Sequence, residues 1–306
     1  MATTLKRSLR WVLPAALWVL SQSAWAEFKV LACEPEWAAL AQEIGGDKLS
    51  VSSATTALQD PHRIEARPSL IARARNADLV VCSGADLEVG WLPLLQSQSG
   101  NNRIQPGAPG FLEASQFVSR LEIPRVLDRS LGDIHPGGNP HVHLDPRNIA
   151  KVAEALRDRL ALLDPANADA YKLRAAAFLQ RWRAAIERWE AQAAPLKGLP
   201  VIVYHKDLSY LIAWLGLREA GSLEPKPGIP PTTAHLADLV ARMQREPARL
   251  IVYSAYNNPK AAEFLSERTR IPSQMLPYTV GGSENAKDLF GLFDDTLARL
   301  LAGVKR

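Results

Sequence analysis

Short apolar runs alternate with helical patterns through the first third of the chain. Apolar and β-branched runs predict strands at residues 28–33, 49–55 and 78–83. Apolar positions spaced three and four residues apart predict helices between and after them, at 36–44, 69–77 and 87–97. Regular alternation of strand and helix is typical of βαβ units on a parallel sheet.

The longest helical pattern occupies residues 165–195. Between Pro165 and Pro195 there is neither glycine nor proline, and one apolar stripe steps along a single helix face: Tyr171, Ala175, Phe178, Trp182, Ala185 and Trp189. A helix of about 29 residues would be roughly 43 Å long, enough to cross a whole domain. Because the stripe lasts only about three heptads and has βα patterns on both sides, we favour a rigid connector over a coiled-coil strand.

The βα pattern resumes after this helix. It predicts strands at 199–204, 250–253 and 272–277, and helices at 208–215, 232–245, 260–268 and 285–302. The stretch 100–140 is rich in glycine, proline and asparagine, which predicts loops with one or two short strands. Asp145-Pro146 then predicts the start of a helix that ends near residue 163.

These elements predict an α/β protein with two Rossmann-like lobes, each a parallel sheet flanked by helices, joined by one long rigid helix. We place the first lobe at residues 27–164, the connecting helix at 165–195 and the second lobe at 196–306. A chain of 306 residues suits two domains.

The amino-terminal segment has the three parts of a secretory signal peptide. Basic residues Lys6, Arg7 and Arg10 precede an apolar run at 11–20, and Ala24-Trp-Ala26 supplies a cleavage site. Ten helical residues rise only about 15 Å, half of a bilayer core, which disfavours a membrane anchor. We therefore expect residues 1–26 to be removed after Ala26 and the protein to be exported to the periplasm.

The charge balance changes once that segment is removed. The whole chain carries a formal net charge of +4, with 36 basic and 32 acidic side chains. Without the three basic residues of the signal segment the two signs nearly cancel, so the mature chain lacks the basic character of a nucleic-acid partner. We expect a monomer that does not bind nucleic acid.

The two cysteines, Cys33 and Cys82, each end a predicted apolar strand. An oxidising compartment permits a disulfide between them, although a direct bridge across parallel neighbours is geometrically demanding. Two buried free thiols are the alternative.

Three of the six histidines occupy similar places in the predicted fold. His62 lies in a turn after the strand 49–55, His141 lies in a loop before the Asp145 cap, and His205 ends the strand 199–204. Ligands of open α/β sheets bind beyond the carboxyl ends of the strands, so these imidazoles are predicted to converge in the cleft between the lobes. Their wide separation matches no local metal motif, so position alone does not establish a site.

Motifs around these histidines resemble bacterial solute-binding protein family 9, the metal-binding components of zinc and manganese ABC importers. The resemblance covers nearly the whole mature chain, including the long helix. It is carried by Asp60-Pro-His62 with Pro68-Ser69 and 77–84, by Gly132-Asp-Ile-His-Pro136 with 138–148, and by Val203-Tyr-His205 with Tyr210.

The resemblance implies that His62, His141 and His205 are the metal ligands. It also implies a periplasmic receptor that captures Zn²⁺ as transported ligand and passes it to the membrane permease of an ABC transporter. Manganese members have a carboxylate at the third position, where this chain has His205, and imidazole suits zinc better than manganese. Zinc is therefore expected over Mn²⁺.

The chain differs from the family at the position of the fourth metal ligand. Leu276 stands where an acid is expected at the end of the last strand. The remaining alternatives are water, Glu284 in the following loop, and His143, which lies two residues from His141. His135 is another histidine without an assigned role, in a region that lacks the histidine-rich loop of some zinc members.

Two other functions use the same residues. Three histidines with an open position also describe catalytic zinc, so a zinc-dependent hydrolase is one alternative. A receptor for Mn²⁺ or for a metal chelate is the other. Because the sequence contains no HExxH motif, no nucleophile elbow and no glycine-rich phosphate loop, we expect no enzyme.

Overall fold

A computed structural model describes residues 27–128, 130, 132 and 134–305 of the chain. The predicted signal peptide at residues 1–26 lies outside them. Within the described part, no helix combines the length and the apolar character needed to cross a bilayer.

The first lobe contains a four-stranded parallel sheet in the order β2-β1-β3-β4. Its strands are β1 (Phe28–Ala32), β2 (Leu49–Ser53), β3 (Leu79–Cys82) and β4 (Phe111–Glu113), and its helices are α1 (Pro35–Gly45), α2 (Pro68–Arg75) and α3 (Leu92–Ser99). In register, Val30 of β1 lies between Val51 of β2 and Leu79 of β3. The alternating pattern of the sequence therefore produces the parallel sheet that it predicts.

Helix α3 begins later than predicted, at Leu92 instead of residue 87. Ala85 and Asp86 have positive φ values of 50° and 66°, so the chain turns there before it can form a helix. Trp91 closes this turn by donating its indole N–H to the carbonyl of Pro61 at 2.9 Å. The turn thus supports the loop that carries His62.

The second lobe repeats the architecture with a parallel sheet in the order β6-β5-β7-β8. Its elements are β5 (Pro200–Val203), α6 (Ser209–Leu215), β6 (Arg218–Ser222), α7 (Thr233–Arg245), β7 (Leu250–Ser254), α8 (Lys260–Thr269), β8 (Ser273–Leu276) and α9 (Leu289–Val304). Strand β6 was not predicted, because Arg-Glu-Ala-Gly-Ser has no β-branched or large apolar residue. It lies at the edge of the sheet, where its side chains are less buried and need not be apolar.

Helices α4 (Pro146–Leu163) and α5 (Ala168–Ala193) pack side by side between the sheets. The predicted stripe on α5 is buried throughout, which confirms the helical spacing. Trp182 donates to the carbonyl of Pro146 in α4 at 2.8 Å, and Trp189 donates to Asp294 in α9 at 2.6 Å. The long helix is therefore tied to both lobes.

One hydrophobic core continues from the first lobe into the second. It includes Trp37 of the first lobe, Phe178 of α5, and Val203 and Phe293 of the second lobe, each almost fully buried. Since the lobes share this core as well as a helix, their positions on either side of the cleft are fixed by packing.

Cys33 and Cys82 form a disulfide, which decides between the two alternatives that the sequence left open. Their Cα atoms are 4.8 Å apart, immediately after β1 and at the end of the neighbouring strand β3.

Candidate metal centre

His62, His141 and His205 meet at the carboxyl ends of the two sheets. His62 follows β2, His141 follows β4 and His205 follows β5, each in a connection from strand to helix. One ring nitrogen from each lies within 4.8 Å of the other two. The three rings are thus brought to one place although 143 residues separate the first from the last.

The spacing of the rings fits a tetrahedral zinc ion. With Zn–N bonds of about 2.0–2.1 Å, ring centres around such an ion would lie roughly 5.2 Å apart. The observed separations between centroids are 5.3 Å for His62 and His141, 5.7 Å for His62 and His205, and 5.8 Å for His141 and His205. A contraction of a few tenths of an ångström would bring all three rings onto one ion.

Each ring is held through Nδ1 by a neighbouring side chain. His62 Nδ1 lies 2.7 Å from Asp60, His205 Nδ1 lies 2.7 Å from Glu224, and His141 Nδ1 lies 2.8 Å from the Tyr278 hydroxyl. A carboxylate can only accept, so His62 and His205 carry their proton on Nδ1 and leave the Nε2 lone pair available. Histidines that bind a metal usually donate the N–H of their other ring nitrogen to a neighbouring acceptor in this way.

The backbone supports two of these histidines in the same way. In Asp60-Pro-His62 and in Asn139-Pro-His141 the first side chain accepts a 3.0 Å hydrogen bond from the histidine N–H. Proline fixes φ between the two bonded residues, so each turn has little freedom. The sequence thus presets the direction of both imidazoles.

Two buried nitrogen atoms at the centre have no hydrogen-bond partner in the described part of the chain. They are Nε2 of His62 and Nε2 of His141. Buried polar atoms are almost always paired, and an imidazole lone pair that faces other imidazoles is suited to a metal ion. The donor set therefore fits a zinc ion.

The electrostatics of the centre favour the neutral, metal-binding form of His141. Burial, together with the neighbouring His62 and His205, holds its pKa well below the usual value. For His205, burial lowers the pKa, but the hydrogen bond to Glu224 and the charge of Asp207 outweigh it and the pKa is raised. The centre thus combines a neutral His141 with carboxylates beside His62 and His205 that balance the charge of a divalent cation.

His143 and Glu284, the other ligands considered from the sequence, lie outside this group. His143 is fully buried, with Nε2 2.9 Å from the carbonyl of Tyr278 and Nδ1 3.2 Å from Glu36. Glu284 is exposed. The structure therefore does not bring either side chain to the three ring nitrogens.

Sequence reasoning missed the residues that orient the histidines. Glu224 lies in a segment rich in proline and glycine, residues 224–228, and Tyr278 follows the anomalous Leu276-Pro277. Asp60 was considered only as part of the Asp60-Pro-His62 motif, not as a residue that orients the ring. The repeated Asx-Pro-His pattern was the one local signal that pointed to preset imidazoles.

A second group of metal-binding side-chain types surrounds the disulfide. Cys33, Cys82 and Glu88 lie within 4.8 Å of one another. Both sulfur atoms are bonded to each other, so they are not available as thiolate ligands.

The profile of the family described as zinc-uptake complex component A, periplasmic, matches residues 30–303. The zinc-binding lipoprotein AdcA of Streptococcus pneumoniae is 22% identical over 239 residues, which cover 77% of this chain and 46% of AdcA. The manganese-binding lipoprotein MntA of Halalkalibacterium halodurans is 24% identical over 66% of this chain and 63% of its own length. The chain thus spans about half to two thirds of these relatives.

The fold also has solved counterparts. A crystal structure of ZnuA superposes with a TM-score of 0.74 at 21% identity, over 89% of this chain and 98% of that one. The two-lobe architecture predicted from the sequence is therefore confirmed.

Proposed function

We propose the function of this chain from one premise, that it belongs to the family of the periplasmic zinc-uptake complex component A. It is an extracytoplasmic receptor that captures Zn²⁺ in the cleft between its lobes and delivers it to the membrane permease of an ABC importer. His62, His141 and His205 bind the ion through Nε2. The observation that carries this proposal is the convergence of three imidazoles whose Nδ1 atoms are already engaged.

Capture requires no chemical reaction. A zinc ion entering the cleft exchanges its water for three neutral nitrogen donors, and because both lobes contribute ligands it links them. The acidic groups nearest the centre, Asp60 and Glu224, each accept a hydrogen bond from a histidine ring. Engaged in this way, they act as orienting groups, not as the general base that a hydrolase needs.

Release requires that docking on the permease disturb the ligands. The shared core and α5 oppose a wide hinge movement, so we infer a small displacement of the lobes. Several contacts near the centre cross the cleft: Tyr278 holds His141, and Tyr210 accepts from the Leu121 N–H at 3.0 Å and donates to the Asn139 carbonyl at 2.9 Å. A small shift therefore misaligns His141 together with its loop.

The experiment is native mass spectrometry of residues 27–306, stripped with chelator and offered equimolar zinc and manganese. One zinc per chain is expected, lost in the variant with His62, His141 and His205 all changed to alanine. His235→Ala is the matched control, because His235 lies in α7 and contacts the carbonyl of Ser222. Preference for manganese, or zinc retained by the triple variant, would contradict the proposal.

Monomeric state, the lack of nucleic-acid binding and cleavage after Ala26 belong to the same proposal. Mass spectrometry of the exported protein reports the first and last of these directly. A mass of one chain beginning at Glu27 is expected.

A further inference from the structure

A fourth imidazole stands beside the three candidate ligands. His135 lies in the loop between β4 and α4, and its ring centroid is 5.3 Å from that of His62 and 6.4 Å from that of His141. It lines the same cavity, of about 220 Å³, as His141 and His205. Four of the six histidines in the chain therefore surround one point.

The ring distances place His135 beside the three candidate ligands, closest to His62. Its separation from His62 matches the roughly 5.2 Å expected for two imidazoles on one zinc ion, while its separation from His141 is longer. His135 is accordingly not among the residues whose ligand atoms already lie within 4.8 Å of each other. We propose that His135 supplies the fourth zinc ligand, by a small inward movement of its ring when the ion binds.

The loop of His135 lies against the second lobe. At Gly132, where φ is +92°, a Cβ atom would lie 2.5 Å from the Pro227 carbonyl of the second lobe. Lys226 of that lobe donates to the carbonyl of Ser130. Within the loop, the Gly138 N–H donates to the His135 carbonyl at 3.0 Å. These contacts hold the loop over the cleft with His135 facing the centre.

The end of β8 leaves the fourth position open for this loop. Leu276 is buried and has no donor atom, and the Tyr278 hydroxyl is engaged with His141. Four neutral imidazoles make a nitrogen-only set, which suits zinc and disfavours manganese more strongly than three imidazoles and an oxygen. His135 would thus determine specificity for zinc, a role that rests on the proposed function.

The test is zinc K-edge X-ray absorption of residues 27–306 loaded with one zinc, which counts imidazole ligands. Four are expected in the wild type and three in His135→Ala. Competition with a chromogenic chelator should show a Kd raised at least about 10–100-fold in that variant, the range by which loss of even an outer-shell partner weakens metal binding. His235→Ala should match the wild type in both measurements.

A second variant guards against loss of folding in the first. Gly132→Ala keeps His135 but forces the loop away from Pro227, so zinc affinity should fall by less than in His135→Ala. Three imidazoles in the wild type, with unchanged affinity in His135→Ala, would overturn the assignment of His135 and leave the receptor intact. No zinc bound by the wild type would instead refute the proposed function.

Discussion

The two lobes hold their candidate ligands by different means. The first lobe presents His62 and His141 from Asx-Pro-His turns, in which a backbone hydrogen bond and a proline fix each imidazole. The second lobe presents His205 directly after β5, and its ring is oriented by the carboxylate of Glu224. The first lobe therefore has a site preset by local sequence, whereas the second relies on a side chain from another loop.

This difference suggests a division of labour. The first lobe can hold a partial site of two imidazoles by itself, and the second lobe completes it. Since the second lobe also supplies Tyr278 to His141, separating the lobes would remove one ligand and loosen another. Variants on either side of the cleft test whether the two lobes differ in this way.

The largest effect is expected from His205→Ala, which removes the candidate ligand of the second lobe. Zinc would then be held by the first lobe and would no longer link the two. We expect affinity to fall by more than about 100-fold, beyond the range typical of outer-shell changes. Chelator competition measures this, and at equal zinc concentration the ion should raise the melting temperature by less than in the wild type. An affinity within threefold of that of His235→Ala would contradict the assignment.

The next largest effects are expected at Glu224 and Asp60, the carboxylates that orient the histidine rings. Glu224→Gln weakens the interaction that orients His205, and we expect zinc affinity to fall toward the upper end of about 10–100-fold. Asp60→Asn keeps an oxygen that accepts from the His62 N–H, as Asn139 does for His141, so a loss of about tenfold or less is expected. Equal losses of zinc affinity in the two variants would show that the Asx-Pro-His turn does not help to hold His62 in place.

The pH dependence of binding separates the lobes further. The pKa of His205 is raised although burial lowers it, because Glu224 and Asp207 stabilise the protonated ring. As pH falls through that raised pKa, protons compete with zinc for His205. Glu224→Gln lowers this pKa, so its zinc affinity should begin to decline at a lower pH than in the wild type. Titrations of zinc affinity between pH 5 and 8 would show the shift, and an unchanged or higher midpoint would contradict it.

The smallest effect on zinc binding is expected at Glu88, whose carboxyl group is buried in the first lobe. Burial raises its pKa to about 7, above the usual value of 4.5 for a glutamate. The folded state therefore binds more protons than the unfolded state between these values, and the free energy of unfolding should decrease as pH rises from about 4.5 to 7. Glu88→Gln should flatten this decrease by about 1–3 kcal/mol in metal-free protein, measured by urea unfolding.

Part of that pH dependence should remain in the Glu88→Gln variant, because burial and the charge of Glu88 also raise the pKa of Glu34. Zinc affinity at pH 7 should change by less than threefold. A variant with the full wild-type slope of stability against pH would contradict the raised pKa of Glu88.

The sequence predicted the fold well where local patterns decide it. The stripe of Tyr171, Phe178 and Trp182 placed the long helix, and apolar runs placed six of the eight described strands, while β4 was expected only as a short strand somewhere in 100–140. Edge strand β6 was missed because its pairing with β5, not its composition, creates it. The start of α3 was wrong because backbone turns at Ala85 and Asp86 are not encoded by hydrophobic spacing.

The candidate site was predictable only in part for a similar reason. Histidines after strands, and the family motifs, pointed to His62, His141 and His205. The partners Glu224 and Tyr278 lie 19 and 137 residues from the histidines that they orient, so no local pattern joins them. The proximity of His135 depends on how its loop rests on the second lobe, which only the tertiary structure reveals.

In this account one zinc ion lies between the lobes and is bound by histidine nitrogen atoms of both lobes. A crystal structure of zinc-loaded residues 27–306, with anomalous data at the zinc edge, tests it most directly. We predict one anomalous peak, about 2.0–2.1 Å from Nε2 of His62, His141 and His205. A peak elsewhere, for example beside Cys33, Cys82 and Glu88, or contact with the histidines of one lobe alone, would contradict the account.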